Sequence, residues 1–307
     1  MTDARRLDGR LPADRGRLAA TSPAASAERV GLMAGWGRYP LVIAEAMTRQ
    51  GFDVYCLGVK GHADPALAQI CAGFDWIGLG KVGHASRFLV RHGVSRAVVA
   101  GKIHKHLLFQ PRVVFKHLPD WRTFCAFYQH FLLKRRDLRD DTLMTKLLNI
   151  FARDGITFFP PTDFAPELLV KYGQLTRRGP SDAQWRDIEF GCRLAKEIGR
   201  LDVGQSVAIK GETALAVEAV EGTDQCIRRA GELCKQGGFT VVKMAKPQQD
   251  MRFDVPTVGL LTLETMHAAR ATCLAVEAGK TIVVDEAEVV RFANEHGIAI
   301  VAVTLHE

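Results

Sequence analysis

Between Arg29 and Val99 the chain alternates short apolar runs with amphipathic stretches, and this rhythm restricts its fold more than any other feature. Val30–Ala34, Val54–Val59, Trp76–Leu79 and Ala97–Ala100 read as strands, with Pro40–Arg49, His62–Ala72 and Gly83–Arg91 as the helices between them. Strands that are apolar along their whole length are buried on both faces, which requires a parallel sheet with helices on each side. The expected fold class is therefore α/β, with an N-terminal Rossmann-like parallel-sheet domain.

The second half has a different order. Ser206–Lys210 and Ala214–Val220 flank Gly211 as a hairpin. Gln225–Gln236 reads as a helix, with Thr223 as its cap and Gly237-Gly238 as its stop. Phe239–Met244, Thr257–Leu261, Cys273–Glu277, Thr281–Val284 and Ile298–Val303 read as strands, and Trp185–Gly199, Leu263–Ala271 and Glu286–His296 as helices. This order predicts a C-terminal mixed-sheet α/β domain. A length of 307 residues also favours two domains. Residues 29–168 are the first, 169–183 a Gly/Thr/Arg-rich hinge, and 184–307 the catalytic second domain. Residues 1–28 are rich in arginine, lack an apolar core segment, and read as a disordered tail rather than a secretory signal.

The seven cysteines are odd in number, scattered and without a CxxC pair. They imply reduced thiols and a cytoplasmic location rather than a disulfide framework or zinc site. No apolar run approaches the ~20 residues that span a bilayer. The formal net charge is +7, and Lys102–Arg139 carries nine Lys/Arg against Asp120 and Asp137. Such a patch suits a phosphorylated substrate, anionic lipid or plain solvation. Nothing in it singles out base-reading residues, so nucleic acid is not an expected partner.

Chemistry concentrates in two stretches. Glu218, Glu221, Thr223 and Asp224 lie where a strand gives way to a helix, and Lys243, Lys246, Gln248, Gln249, Asp250, Arg252 and Asp254 follow the next strand. Carboxylates suit a hard divalent cation, and Lys and Arg suit phosphate. Helix capping by Thr223-Asp224 and a charged loop with an Arg252–Asp254 pair are the structural alternatives. Gly35-Trp-Gly37 sits between a strand and a helix but has Pro40 where a dinucleotide fingerprint has its third glycine. It reads either as a ligand contact or as a tight turn. Lys102-Ile-His104-Lys105-His106 follows the fourth strand, at the edge where open α/β sheets bind ligands. Asp140 and Asp141 either cap a helix over Asp141–Phe151 or reach across a domain cleft. Cys226 and Cys234 read as packing residues.

Gly31-Leu-Met-Ala-Gly35-Trp-Gly37-Arg-Tyr-Pro40, Asp140-Asp141-Thr-Leu, Ala216-Val-Glu218-Ala-Val-Glu221-Gly222-Thr223-Asp224 and Lys246-Pro247-Gln-Gln249-Asp250-Met-Arg252-Phe253-Asp254-Val-Pro256 resemble the LpxI-type UDP-2,3-diacylglucosamine pyrophosphatases. Ala275-Val-Glu277-Ala-Gly279-Lys-Thr-Ile-Val-Val is similar to that family too. The resemblance implies hydrolysis of UDP-2,3-diacylglucosamine to 2,3-diacylglucosamine 1-phosphate (lipid X) and UMP in lipid A synthesis. It also implies Mg²⁺ or Mn²⁺ as cofactor, Asp224 as the key acidic residue, and a ligand held between the two domains. Lys105-His106 departs from the family's Arg-Pro tendency.

On this reading Asp224, Glu221 and Lys246 are catalytic, with Asp224 and Glu218 as metal ligands. Gly35, Gly37, Lys102, Asp141, Thr223, Lys243, Gln249, Asp250 and Arg252 contact the nucleotide-activated acylated sugar. A transient contact with the inner-membrane surface is expected through Trp121–Leu132 and Lys134-Arg135-Arg136, and a homodimer is left open. The rival readings are a non-catalytic nucleotide sensor and a nicotinamide oxidoreductase. The latter is disfavoured by the second strand's ending, Gly58-Val59-Lys60, which lacks an acidic residue.

Overall fold

A computed structural model describes residues 27–102, 120–124 and 140–304. The first domain is built on a five-stranded parallel sheet: β1 (Arg29–Ala34), β2 (Asp53–Val59), β3 (Gly73–Ile77), β4 (Arg96–Ala100) and β5 (Thr157–Phe158). Their order is β3-β2-β1-β4-β5, so the strand order reverses between β1 and β4. Crevices in doubly wound sheets open at such a reversal, beyond the carboxyl ends of the strands. Helices α1 (Tyr39–Arg49), α2 (Leu67–Ile70), α3 (Val82–Arg91) and α4 (Asp140–Ala152) complete the domain. Pro40 lies in the first turn of α1, where its fixed φ suits the helix, and Leu41, Ile43, Ala44 and Met47 bury against the sheet.

The helix expected over His62–Ala72 shrinks to α2. The Asp64 carboxylate accepts a hydrogen bond from the Ala66 N–H at 2.8 Å, making a turn, and Pro65 lacks a donor for any preceding helical turn. β3 also begins earlier than Trp76, because Gly73–Ile77 pairs along β2 as a half-buried edge strand.

The second domain has a six-stranded mixed sheet. It comprises β6 (Gly173–Gln174), β7 (Ser206–Lys210), β8 (Thr213–Val217), β9 (Thr240–Lys243), β11 (Cys273–Glu277) and β13 (Ala299–Val303). The order is β6-β13-β11-β9-β7-β8. β9, β11 and β13 run parallel, and the β7–β8 hairpin is antiparallel. A separate short pair joins β10 (Thr257–Val258) to β12 (Ile282–Val283). Helix α5 (Asp182–Arg200) covers one face through Ile188, Cys192 and Ala195. Helices α6 (Thr223–Leu233), α7 (Leu260–Ala268) and α8 (Glu286–Glu295) cover the other through Ile227, Leu263 and Val289. Adjacent strand residues alternate between the two cores: Val241 joins the α6–α8 side and Val242 the α5 side, as the pleat requires. The strand expected over Thr257–Leu261 stops at Val258, since Gly259 takes the cap position of α7.

The expected hinge at 169–183 is largely part of the second domain. Val170 is buried in its core, the Val170 N–H donates to the Thr281 carbonyl at 2.9 Å, and β6 pairs with β13. Ser181 and Gln184 then form a capping box that starts α5. The chain therefore crosses between domains near Leu168. There Val42 of α1 packs with Ile282 and Val284, flanked by Leu168, Leu169 and Val255. Arg38 reinforces this junction through an ion pair to Asp285 at 3.0 Å.

Candidate active site

The carboxyl ends of β9 and β11, the start of β7 and the end of β8 lie at one edge of the second sheet, because Ser206 pairs with Lys243 and Val207 with Val217. Lys243, the last residue of β9, is only 5 % exposed. Its ammonium donates to the Thr223 hydroxyl at 3.2 Å and to the Thr257 carbonyl at 3.0 Å. The Thr223 hydroxyl donates to Glu218 Oε1 at 2.9 Å and lies 3.2 Å from the Ser206 hydroxyl. Glu218 is buried, and its second oxygen accepts the Gln205 N–H at 3.3 Å. Ser206 and Gln205 were not among the residues selected from sequence; a serine opening a strand gives no signal.

The expectation that Thr223 caps α6 is corrected. Gly222 occupies the cap position with φ +82, and no side chain caps the helix. Thr223 is thereby released to join Glu218 and Lys243, and the first amides of α6 keep their electropositive character. Asp224 follows in the first turn, half-buried, with a hydrogen bond from the Thr262 hydroxyl at 3.3 Å.

Burial drives the Lys243 ammonium below its ordinary pKa; Glu218 opposes this and Lys102 reinforces it, with Asp224 and Asp254 also within range. The effect of Lys102 matters structurally. It belongs to the first domain, just past β4, yet its charge reaches the buried lysine of the second. Lys102 and Lys243 are thus within electrostatic range of each other across the two domains.

Gly35 and Gly37 shape the turn after β1 differently. A Cβ on Gly35 would lie 2.8 Å from the Lys102 carbonyl oxygen, where β1 and β4 close on each other through the Trp36–Lys102 bridge. Gly37 needs its φ of +106, which side-chain-bearing residues rarely adopt. Both thus set the path of the chain beside Lys102.

The Lys246–Val255 loop is held by its own side chains. The Gln249 amide accepts the Lys246 N–H at 2.8 Å and donates to the Asp254 carboxylate and carbonyl. Arg252 pairs with Asp250 through Nε at 2.9 Å, not with Asp254, and this holds the Asp250 carboxyl below its usual range. Phe253 packs against the first domain's core cluster that contains Val59 and Ile77. Lys246 Nζ bonds Asp202 at 2.7 Å, a partner sequence reasoning missed.

Glu221 stands apart from the Lys243 cluster. It is exposed, accepts the Ala219 N–H at 3.2 Å and pairs with Arg229. Its own backbone N–H and Arg229 hold its carboxyl below the usual value. Cys226 is buried, and desolvation pushes its thiol up to about 12, which suits packing. Asp141 falls in the first turn of α4, and its side chain lies outside the described residues, as do His104, Lys105 and His106.

Among the described residues no group of three or more His, Cys, Asp or Glu gathers as a metal cage. Mg²⁺ ordinarily uses one or two carboxylates together with substrate phosphates, so a single half-buried Asp224 fits its requirement. Glu218 is turned toward Thr223 and Gln205.

Residues 29–168 match the LpxI N-terminal domain, and residues 171–301 match the LpxI C-terminal domain. The chain belongs to the LpxI family. The boundary between the two matches agrees with the crossing near Leu168. The chain is also similar to the UDP-2,3-diacylglucosamine pyrophosphatase LpxI of Caulobacter vibrioides, at 29 % identity over 287 residues, covering 91 % of this chain and 99 % of that protein. Two of the LpxI-type motifs come together in the second domain, since Thr223 of Glu218–Asp224 accepts from Lys243, three residues before the Lys246–Pro256 loop begins.

Proposed function

We propose that this enzyme hydrolyses UDP-2,3-diacylglucosamine to 2,3-diacylglucosamine 1-phosphate and UMP, with water attacking the α-phosphorus, as a step of lipid A synthesis. The observation that carries this reading is Lys243, buried and bonded to the Thr223 hydroxyl at the uncapped start of α6 beside Asp224, with Lys102 of the first domain within electrostatic range. Lysines beside a carboxylate and a helix start without a side-chain cap suit a pyrophosphate.

In this scheme Lys102 and Lys243 neutralise oxygens of the diphosphate as the bond to the sugar phosphate breaks. Asp224 would hold Mg²⁺ or Mn²⁺, whose chemistry there is neutralisation of phosphate charge. Glu218 is better placed than Glu221 to receive the water's proton, because it is buried and hydrogen-bonded to Thr223 beside Asp224. Lys246, Gln249, Asp250 and Arg252 shape the loop that closes the sugar-phosphate side.

The substrate's two acyl chains would bring the enzyme to a bilayer surface. No helix among the described residues is long and apolar enough to cross a membrane. Trp121 is 78 % exposed and stacks on Phe124 with ring centroids 5.8 Å apart. This pair is the part of the expected Trp121–Leu132 contact that falls on described residues; Lys134, Arg135 and Arg136 lie outside them.

Turnover in ¹⁸O-labelled water tests the reaction. Label in UMP is expected; label only in the sugar phosphate would overturn attack at the α-phosphorus.

A further inference from the structure

Glu277 ends β11 almost fully buried, at 4 % exposure, and takes no part in the chemistry above. Its carboxylate accepts hydrogen bonds from Lys196 Nζ at 2.8 and 2.9 Å, and from the Ala245 N–H at 2.9 Å. Lys280 adds an ion pair at 2.8 Å. Lys196, from α5, also donates to the Ala245 carbonyl at 2.9 Å. Both backbone groups of one residue are therefore gripped by one ion pair. Ala245 lies between Met244 and Lys246, two residues past Lys243, where β9 ends and the Lys246–Val255 loop begins. Burying the Glu277 carboxylate beside the partly exposed Lys196 has a desolvation cost, and apolar residues of similar size would pack a core at least as well. Such a pair calls for an explanation other than stability.

We propose that the Lys196–Glu277 ion pair is a positioning device for the reaction: it clamps the Ala245 peptide so that Lys243 keeps its place on Thr223 beside Asp224 while Lys246 turns out toward Asp202. Without the clamp, the Ala245 N–H and carbonyl lose these partners, and no side chain of its own can replace them. Small displacements of charge-stabilising groups lower turnover steeply, by up to about a hundredfold for a shift near 1 Å. Burial alone works to raise the Glu277 carboxyl, but hydrogen bonds from Lys196 and Lys280 outweigh it and hold it below its usual range, so Glu277 stays ionised at neutral pH.

The inference rests on the reading of Lys243 as a substrate-facing group. The experiment measures kcat, KM and melting temperature for wild type, Lys196→Arg, Lys196→Met, Glu277→Gln and the double variant Lys196→Met/Glu277→Met, with Lys243→Met alongside. The double variant leaves no buried charge unpaired, since Lys280, which also loses Glu277, is 55 % exposed, and it keeps the test open where a single variant fails to fold. Positioning predicts a folded double variant with kcat lowered about tenfold or more and KM within about threefold. Lys196→Arg, which keeps the cation, should retain more turnover than Lys196→Met. If turnover per folded molecule in the double variant equals wild type, the pair is only structural and the proposal falls. If Lys243→Met itself keeps wild-type turnover, the reading of the site falls and takes the proposal with it.

Discussion

Replacing Lys243 with methionine separates its electrostatic role from its bulk. Methionine fills much the same volume, so the change removes a charge and its two hydrogen bonds, to the Thr223 hydroxyl and the Thr257 carbonyl. Thr223 keeps Glu218 and Ser206, whereas the Thr257 carbonyl loses this donor. Losing that bond costs about 1–3 kcal/mol, and relief of a buried charge offsets a similar amount, so stability near pH 8 should change by less than about 2 kcal/mol. Turnover should change far more. One charge-assisted contact to the breaking diphosphate contributes about 2–3 kcal/mol, roughly 30–150-fold in kcat/KM. Stability also carries a pH signature. The unfolded ammonium titrates near its ordinary 10.5, and burial lowers it in the folded state. Between the lowered value and 10.5 the unfolded chain binds more protons, so this group's contribution to stability rises with pH across that window. Urea unfolding at pH 8, 9 and 10 should show wild type gaining on Lys243→Met as pH rises. A gap that shrinks with pH, or kcat/KM within threefold of wild type, would refute the reasoning.

Glu221→Gln should lower kcat less than about threefold, since an exposed pair to Arg229 contributes roughly 0–1 kcal/mol; a hundredfold loss by the same steady-state assay would restore Glu221 as the base. Gly35→Ala should lower kcat/KM at least about tenfold, because the added carbon meets the Lys102 carbonyl at 2.8 Å and must displace Lys102; unchanged kinetics would mean that the bridge does not set the crevice. Trp121→Ser/Phe124→Ser should weaken co-sedimentation with anionic vesicles several-fold while leaving turnover of a short-chain soluble substrate intact; equal sedimentation would remove that pair from the membrane contact.

Much of the fold was legible because burial on both faces leaves a simple trace in sequence. β1, β2 and β4 read as unbroken apolar runs, and their C-terminal edge pointed directly to Gly35 and Lys102. The ends of elements were less legible. Nothing local reveals that Gly222 adopts a positive φ and takes over the cap, so Thr223 was assigned to the helix rather than to Glu218 and Lys243. Likewise β6 is two residues long, too short for periodicity, and the segment around it read as a hinge. Long-range pairs leave no trace at all. Arg38 and Asp285 are 247 residues apart, and Lys196 and Glu277 are 81 apart. Arg252 chose Asp250 over Asp254 because Gln249 already holds Asp254, a competition visible only once the loop is closed.

The most direct test of the account incubates the purified protein with UDP-2,3-diacylglucosamine, with Mg²⁺ or with excess chelator, and follows UMP. Asp224→Ala is run in parallel; loss of a first-turn acid should cost its fold only about 0.3–1 kcal/mol. The account predicts UMP from the wild type with Mg²⁺, little with chelator, and almost none from a folded Asp224→Ala. No UMP from the wild type, or equal release by the variant, would contradict it.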